Sequence, residues 1–287
     1  MRIDLHTHTT ASDGLLDAPA LVGAAAARGV GLLAVSDHDS TASVDDAIAA
    51  GRRAGVEVWP AVELSCDVEA GEVHMLGYLL DHHLDWFEAL LARLRDGRVS
   101  RAERMVEKLA ALGAPIDYAR VETLAAGGAI GRPHVARALV EAGWVKEPAE
   151  AFDRFIGRGG PAYVERVKVT PAEAVAIIRA AGGLAVFAHP GWAKHDEWIA
   201  DLVPAGLDGV EAYYPDHGHE MITHYLALAR QYGLLVTGGT DFHGGALATR
   251  VPVGSQYVPE EIVPPLRERA ATRRPARVAP QMALSVE

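Results

Sequence analysis

The sequence predicts an α/β protein built on a parallel sheet or barrel, with a helical segment inserted into it. Over the first 80 residues, and again from residue 171, short apolar runs alternate with Ala-rich amphipathic segments. This spacing is typical of β-α-β units, whose buried parallel strands appear as continuous apolar runs. Between residues 84 and 160 the pattern is instead helical and charged, without a strong strand signal.

Strands and helices alternate in the N-terminal region. Asp17 predicts the start of the first helix, because its carboxylate can cap free amides, and Gly29 predicts its end. The run that follows is apolar throughout, as in a buried parallel strand. In chain order the predicted elements are a strand at Ile3–Leu5, a helix at Pro19–Arg28, a strand at Gly31–Ser36, a helix at Ser43–Ala54 and strands at Val56–Leu64 and Val73–Leu79.

The later elements define three regions of the chain. Predicted helices occupy Leu84–Leu112, Arg132–Ala142, Pro148–Phe155, Pro171–Ala181 and His219–Tyr232, and predicted strands occupy Leu184–Ala188, Asp208–Tyr213 and Leu234–Thr237. Residues 1–83 and 161–271 are therefore predicted to form one discontinuous domain, and residues 84–160 a helical insertion or cap. Residues 272–287 lack periodicity and are expected to form a C-terminal arm.

Composition excludes several classes of protein. The 287 residues are 49% hydrophobic and 23% charged, which is ordinary for a globular chain and excludes disorder throughout. One cysteine excludes an internal disulfide and a Cys-rich zinc site. The sequence has neither an apolar signal segment nor a membrane-spanning run, so we expect a cytoplasmic protein without a membrane partner. The net charge of −11 argues against binding of long nucleic acid.

Histidine and acidic residues follow the ends of five apolar runs. They are His6 and His8, then His38 flanked by Asp37 and Asp39, then Glu63, then His189, and finally Asp241 with His243. Because the carboxyl ends of parallel strands meet at one edge, these side chains are expected to share one mouth. A lone His-x-His or His-Pro is weak evidence of a ligand, whereas five such strand ends together indicate a metal centre.

Local spacing adds detail to this predicted centre. His6 and His8 lie two residues apart and so can bind one ion together. Asp241 and His243 have the same spacing, but they can also serve two neighbouring ions. Asp13 lies in a loop just past the first strand. His74 opens the strand after Glu63 and can reach the mouth from an antiparallel or edge position.

These motifs resemble those of the polymerase-and-histidinol-phosphatase (PHP) family over nearly the whole chain. The resemblance rests on His6-Thr7-His8, Ser12-Asp13-Gly14, Ser36-Asp37-His38-Asp39, Glu63, His74, His189-Pro190 and Thr240-Asp241-Phe242-His243, which occur in that order. In the helical segment, Gly131-Arg132-Pro133-His134 resembles the branch that acts on nucleoside phosphates. That branch includes nucleoside 3′,5′-bisphosphate phosphatases and exonucleases on short 5′-phosphorylated oligonucleotides.

The resemblance implies a distorted (β/α)7 TIM-like barrel with three divalent metal ions. It assigns the first ion to His6, His8, Glu63 and Asp241, the second to Asp13, His38 and His189, and the third to His74, His243 and a bridging Glu63. Asp13 stands where some relatives have histidine, which bears on metal preference. Mixed imidazole and carboxylate ligands favour Mn, Fe or Zn over Mg or Ca. The positive charge of three such ions exceeds the negative charge of three carboxylates, and the resulting local charge of about +3 would suit an anionic phosphate.

The predicted activity is hydrolysis of a phosphoester by in-line attack of a metal-bridging hydroxide. The expected substrate is a small nucleotide, either a nucleoside 3′,5′-bisphosphate or a short 5′-phosphorylated oligonucleotide. Alternatives within the enzyme class are a phosphatase of histidinol phosphate or another small phosphomonoester, and a cyclic phosphodiesterase. A different class is a non-catalytic PHP module that supports a polymerase. The complete ligand set and the lack of a polymerase domain within these 287 residues argue against it.

Arginine and histidine of the helical segment are candidate substrate contacts. Arg132 and His134 lie in a turn before a helix, where free amides and an arginine favour phosphate binding, although a plain capping turn would look the same. Arg98, Arg101 and Arg104 recur every three residues and so share a helix face. Such a face is usually solvated. Arg101 is the member that we expect to bind substrate.

Three further polar residues are candidates for a catalytic role. His217 follows a predicted strand and could protonate the leaving group or contact phosphate, or merely start a helix. Asp37 and Asp39 flank His38 and could orient the ligands during catalysis, or merely cap a turn. The sequence does not indicate an oligomeric state.

Overall fold

Seven strands form one sheet whose spatial order follows the order along the chain. The computed structural model describes residues 1–68, 71–165, 169–193, 196–244 and 251–281. The strands are Arg2–Asp4 (β1), Val30–Val35 (β2), Glu57–Val68 (β3), Gly71–Tyr78 (β4), Leu184–Phe187 (β5), Gly209–Tyr213 (β6) and Leu235–Gly238 (β7). All neighbouring strands are parallel except β4, which runs antiparallel to both β3 and β5. The predicted α/β class is confirmed.

The two end strands of the sheet are β1 and β7, so strand pairing does not close a barrel. The chain segments that follow these two strands nevertheless contact each other. The N–H of Leu5 donates to the carbonyl of Gly238 at 3.1 Å, and the N–H of His8 donates to the carbonyl of Phe242 at 2.8 Å. These bonds place the ends of the first and last strands side by side.

Helices connect the strands and fill the middle of the chain. They are Ala18–Ala27 (α1), Val44–Ala54 (α2), Asp85–Ala111 (α3), Tyr118–Ala125 (α4), Arg132–Glu141 (α5), Pro148–Ala151 (α6), Pro171–Ala180 (α7), Pro190–Ala193 (α8), Glu197–Leu202 (α9), His219–Tyr232 (α10) and Val263–Ala271 (α11). Asp17 caps α1 as predicted, accepting the N–H of Ala20 at 2.8 Å. A π-helical turn at Phe152–Ile156 continues α6, and Glu260–Ile262 is a 3₁₀ turn. None of the described helices is both long and apolar enough to span a bilayer.

Long helix α3 packs against the sheet with its first half and against the other helices with its second half. Phe87 and Leu91 belong to the apolar cluster that covers β3, β4 and β5. Leu109 belongs to a separate cluster that contains Val121 and Leu139 of α4 and α5. The helices between residues 85 and 156 therefore have an apolar core of their own, and the division into a sheet domain and an insertion stays a prediction.

Strand β3 extends four residues beyond its predicted end, so Cys66 lies within the strand and is buried. Beyond α11, the described part of the C-terminal arm packs at the amino end of β6. Arg273 pairs with Asp208, and the indole N–H of Trp86 donates to the carbonyl of Ala276 at 2.9 Å. Residues 272–281 therefore lie at the edge of the sheet opposite the carboxyl ends of its parallel strands. The last six residues of the predicted arm, 282–287, lie outside the described ranges.

Candidate metal centre

The strand ends bring together the nine side chains that the sequence predicts as metal ligands. Within the described residues, three groups at this centre have ligand atoms that all lie within 4.8 Å of one another. They are His6, His8, Glu63 and Asp241; then His8, Asp13, His38 and His243; then His38, Glu63 and His74. His189 adjoins the third group, with Nε2 3.1 Å from Glu63 Oε1. The antiparallel placement of His74 is one of the two alternatives open from sequence.

The first group has the spacing of ligands around one ion. The Nε2 atoms of His6 and His8 each lie 3.2 Å from Glu63 Oε2. They lie 3.3 and 3.0 Å from Asp241 Oδ1, respectively. Two atoms that each lie about 2.1 Å from a shared ion are about 3.0 to 3.4 Å apart. This grouping matches the first ion that the family resemblance implies.

The other two groups differ from the implied assignment, because His189 and His243 exchange places. His243 Nε2 lies 3.2 Å from Asp13 Oδ1, so this ring joins the group of Asp13 and His38. His189 Nε2 lies 3.3 Å from His74 Nδ1. The cause is sheet order. Strand β5 pairs with β4, which places His189 beside His74, whereas the segment after β7 lies beside the loop that follows β1.

The centre contains buried polar atoms that a cation would satisfy. Among the described residues, several of its side-chain atoms have no hydrogen-bond partner by geometry. They are His6 Nε2, both ring nitrogens of His8, Asp13 Oδ1, His38 Nδ1 and Glu63 Oε2. Burying such atoms without a partner is costly, and most buried polar groups in proteins have one. The donor set of imidazole and carboxylate therefore fits divalent transition-metal ions.

Electrostatics in the protein alone hold the acidic ligands in their charged form. Burial by itself would raise the pKa of Glu63, but the neighbouring rings of His38, His6 and His74 lower it well below the usual range. The pKa of Asp241 is also well below its usual range, because the attraction of nearby histidines outweighs burial. These carboxylates are thus ionised at neutral pH, as metal ligands must be.

Two histidines of the centre, His38 and His243, have pKa values shifted in opposite directions. Burial lowers the pKa of His38 to about 3, against the opposing charges of Glu63 and Asp13. For His243, burial opposes protonation, but the charges of Asp13 and Asp241 raise its pKa to about 10. A cation that binds at His243 therefore displaces a proton, which couples metal affinity to pH.

Two buried carboxylates that sequence reasoning missed support the ligands. Glu211 Oε1 accepts from the His6 ring, 3.0 Å from Nδ1, and Oε2 accepts the backbone N–H of His189 at 2.8 Å. Asp4 accepts both the N–H and the hydroxyl of Thr240, at 2.9 and 2.6 Å, beside Asp241. The available signal was an acidic residue inside an apolar strand, where a charge needs a specific partner.

Asp37 and Asp39 bind the loops that carry the ligands. Asp37 accepts the N–H and hydroxyl of Thr9, both at 2.7 Å, and the hydroxyl of Ser12 at 2.6 Å. Asp39 accepts the N–H of Ser65 at 3.1 Å and pairs with Arg98, whose Nη2 lies 2.6 Å from Oδ2. These contacts link the loops after β1 and β2 to β3 and α3.

His217 is buried below the turn that follows His189. Its Nδ1 donates to the carbonyl of Ala212 at 3.0 Å, so Nε2 carries the lone pair and accepts the N–H of Gly191 at 3.3 Å. Burial lowers the pKa of His217, which keeps the ring neutral. This arrangement leaves no proton on Nε2 for a leaving group. Tyr214, which sequence reasoning missed, donates its hydroxyl to Asp241 Oδ2 at 3.1 Å.

The predicted substrate contacts of the helical segment lie in two places. Helix α5 begins at Arg132 as expected, and His134 Nδ1 accepts the N–H of Gly131 at 2.9 Å. His134 is buried, and its pKa, which burial lowers, is also affected by the charges of Asp13 and His243 in the metal centre. The Arg132 guanidinium lies 5.5 Å from the ring centroid of Phe152.

Arg101 is buried on α3 and is held by the chain that follows the helical segment. Its Nε donates to the carbonyl of Val164 at 2.8 Å, and its guanidinium lies 5.3 Å from the ring centroid of Tyr163. Arg104, one turn further along α3, is exposed and donates to the carbonyl of Ser100 at 3.3 Å. Of the three arginines on this face of α3, Arg98 and Arg101 are therefore buried and Arg104 is solvated.

A buried histidine–carboxylate cluster at the strand ends of an α/β sheet defines a metal-dependent hydrolase. This chain belongs to the PHP family of metal-dependent phosphoesterases. The PHP domain matches residues 4–120. The chain is 36% identical over 247 residues to the 5′-3′ exoribonuclease Rnm of Escherichia coli, covering 84% of each chain.

Two further similarities span almost the full length. The 3′,5′-nucleoside bisphosphate phosphatase of Chromobacterium violaceum is 34% identical over 283 residues, which cover 96% of this chain and 99% of that protein. A protein of Bifidobacterium adolescentis, provisionally described as a metal-dependent phosphoesterase, has a crystal structure with a TM-score of 0.85 and 31% identity. The structural alignment covers 93% of this chain and 96% of the Bifidobacterium chain.

Proposed function

We propose that this protein hydrolyses phosphate from a small nucleotide, either a nucleoside 3′,5′-bisphosphate or a short 5′-phosphorylated oligonucleotide. The observation that carries the proposal is the buried centre of nine imidazole and carboxylate side chains, several of whose ligand atoms have no hydrogen-bond partner among the described residues. The substrate class is supported by the bisphosphate phosphatase and exoribonuclease relatives. We also predict a cytoplasmic location and a substrate other than long nucleic acid.

The centre would hold three divalent ions, with Mn, Fe or Zn as the candidates. Their proposed ligands are His6, His8, Glu63 and Asp241 for the first, Asp13, His38 and His243 for the second, and His74, His189 and the bridging Glu63 for the third. When bound, such ions make water a nucleophile at neutral pH and neutralise charge on phosphoryl oxygens. Two distances support this grouping: His189 Nε2 lies 3.3 Å from His74 Nδ1, and His243 Nε2 lies 3.2 Å from Asp13 Oδ1.

Further polar residues near the centre are proposed to position these ligands. We assign Asp37 and Asp39 to orienting the loops of His8 and His38, because their carboxylates accept hydrogen bonds from those loops and their neighbours. We assign His217 to positioning rather than to proton donation, because its Nε2 accepts an N–H.

Substrate phosphate is proposed to contact the start of α5. Arg132 supplies positive charge there, and helix N-termini favour anions. His134 lies in the same turn. Arg101 on α3, whose Nε donates to the carbonyl of Val164, is proposed as a further contact to the substrate. The N–H of Ala129 donates to the carbonyl of Ala11 at 3.0 Å, which supports a position for this turn beside the loop that follows β1. The hydrogen bonds between the segments after β1 and β7 support a sheet curved into a distorted barrel.

The test is phosphate release by one metal-loaded preparation from a panel of substrates. Adenosine 3′,5′-bisphosphate and a short 5′-phosphorylated oligonucleotide should be the best substrates, ahead of AMP, histidinol phosphate and a cyclic phosphodiester. Equal activity on all of them would contradict the nucleotide assignment. Chelation should abolish release. No metal-dependent release from any phosphoester would favour a non-catalytic module.

The matched variants are Glu63→Gln and Glu57→Gln, which lie on the same strand. Glu63 faces the centre, whereas Glu57 is half-exposed and pairs with Arg267. The first change should lower activity by more than the 10–100-fold typical of outer-shell partners, and the second should leave it unchanged. Full activity and metal content in Glu63→Gln would refute the proposed centre.

A further inference from the structure

A large aromatic side chain is exposed beside the metal centre. Trp192 on α8 is 60% exposed, although it lies three residues after His189. Its ring centroid is 5.2 Å from that of His189. It also meets Tyr214 edge-on, with centroids 6.1 Å apart and the ring planes at 82°. One part of the indole therefore contacts the rings that border the centre, while the rest faces solvent.

Two backbone hydrogen bonds define the turn that carries Trp192. The N–H of Trp192 donates to the carbonyl of His189 at 3.0 Å. The preceding Gly191 donates its N–H to His217 Nε2 at 3.3 Å. A Cβ at Gly191 would lie 2.5 Å from Met221 Sδ and 2.8 Å from His217 Nε2, so a larger residue there would have to displace one of these side chains. The turn thus holds the indole at the edge of the mouth.

Exposed aromatic rings are common on protein surfaces, and other such rings lie elsewhere in this structure. Tyr257, 75% exposed, lines a cavity with Met1 and Arg2 at the amino end of β1. Trp144, 37% exposed, lies in the helical segment and donates its indole N–H to the carbonyl of Pro115 at 2.9 Å. What distinguishes Trp192 is contact with a proposed metal ligand, His189.

We propose that Trp192 is the surface on which the base of the nucleotide substrate stacks. This inference rests on the proposed function, because it requires a substrate that carries both phosphate and a base. When the phosphate is bound at the metal centre, the attached nucleoside must extend outward through the mouth, where the exposed part of the indole lies. Every base has a π-face, so stacking on an aromatic side chain binds purines and pyrimidines alike. The substrate class is therefore nucleotides of any base, preferred over phosphoesters that lack one.

The test compares substrates with and without a base on Trp192→Ala and Trp192→Phe. Adenosine 3′,5′-bisphosphate is paired with its abasic tetrahydrofuran 3′,5′-bisphosphate analogue. Trp192→Ala should lower kcat/KM for the adenosine compound by roughly 5- to 150-fold, mainly through KM, and leave the abasic compound unchanged. Trp192→Phe should keep most of the activity. Tyr257→Ala is the control, because it removes an exposed ring away from the centre.

Two results would overturn the assignment. One is an unchanged kcat/KM for adenosine 3′,5′-bisphosphate in Trp192→Ala. The other is an equal loss on both substrates, which would indicate a general disturbance of the turn. If the wild type releases no phosphate from either compound, the proposed function fails. The stacking role of Trp192 is then tested separately by measuring AMP binding with calorimetry. Binding of AMP to wild type that is equally strong in Trp192→Ala would then refute it.

Discussion

Glu211 accepts a hydrogen bond from His6, with Oε1 3.0 Å from Nδ1, and both side chains are fully buried. Because Nδ1 donates to the carboxylate, Nε2 is the nitrogen that faces Glu63 and Asp241. The other oxygen of Glu211 accepts the N–H of His189. One carboxylate on β6 therefore orients two proposed ligands, and a carboxylate behind an imidazole makes that ring a better metal ligand.

Neutralising this carboxylate should weaken the metal centre. We expect Glu211→Gln to lower metal affinity and phosphate release by about 10- to 100-fold, since the amide keeps the size of the side chain but loses the charge behind His6. Metal titration of the chelator-treated protein measures the effect. Glu220→Gln on the exposed start of α10 is the control. Unchanged affinity in Glu211→Gln would show that His6 does not depend on this partner.

The buried pair of Arg98 and Asp39 should be essential for stability. Arg98 donates its Nε to Asp39 Oδ2 at 2.8 Å and its Nη2 to the hydroxyl of Ser65 at 2.7 Å. Removing the guanidinium takes the positive charge away from a buried carboxylate, so Arg98→Ala should lower the free energy of unfolding by about 3–5 kcal/mol. Denaturant unfolding measures the change. Arg104→Ala, on the exposed part of the same helix, should change it by less than about 0.5 kcal/mol. Similar losses in both variants would contradict a special role for the pair.

His134 should make stability depend on pH. Burial lowers its folded-state pKa to about 4, although the charge of Asp13 opposes this shift. An unfolded histidine binds its proton near pH 6.5, so the contribution of neutral His134 is fully present above about pH 6.5 and is lost as pH falls toward 4. In His134→Gln, the loss of unfolding free energy between pH 7 and pH 4.5 should be smaller by roughly 2 kcal/mol.

Chemical denaturation of chelator-treated protein at several pH values checks this dependence, because the metal ligands then titrate alike in both proteins. Glutamine can still accept the N–H of Gly131, which preserves the start of α5. His219→Gln, at an exposed position on α10, should follow the wild type. Parallel pH profiles for wild type and His134→Gln would rule out this titration.

The parts of the centre that the sequence could predict are those that depend on strand ends. His6, His8, His38, Glu63, His189, Asp241 and His243 each follow or end an apolar run, and parallel strands deliver such residues to one edge whatever their exact pairing. Glu211 and Asp4 were not predicted because each belongs to a short strand buried on both faces, whose apolar pattern does not tell which face lies beside the ligands. Arg98 escaped prediction because the burial of one face of α3 depends on how that helix packs on the sheet.

The grouping of ligands required the order of the strands. Residue spacing left Asp241 and His243 free to serve one ion or two, and the family resemblance paired His189 with Asp13. Strand order favours a different grouping, because the N–H of Ala188 donates to the carbonyl of His74 at 3.1 Å and the N–H of Leu15 donates to the carbonyl of His243 at 2.7 Å. Each bond fixes a ligand beside its spatial neighbour.

This regrouping predicts which ligand substitutions should be coupled. His243→Ala and Asp13→Ala should remove the same ion, so the double variant should lose little more metal than either single one. His189→Ala and His74→Ala should behave likewise for another ion. The crossed pair, His189→Ala with Asp13→Ala, should lose both ions and add their effects, since residues without a shared partner act independently.

Metal content per chain after reconstitution and dialysis, for each single and double variant, measures this coupling. The implied pairing of the family resemblance makes the opposite prediction, because His189 and Asp13 would then share an ion and the crossed pair would lose only one. Additive loss in the crossed pair, with no further loss in the other two, would establish the grouping that the distances favour. The reverse result would mean that ion binding pulls His189 and His243 away from the neighbours that the sheet gives them.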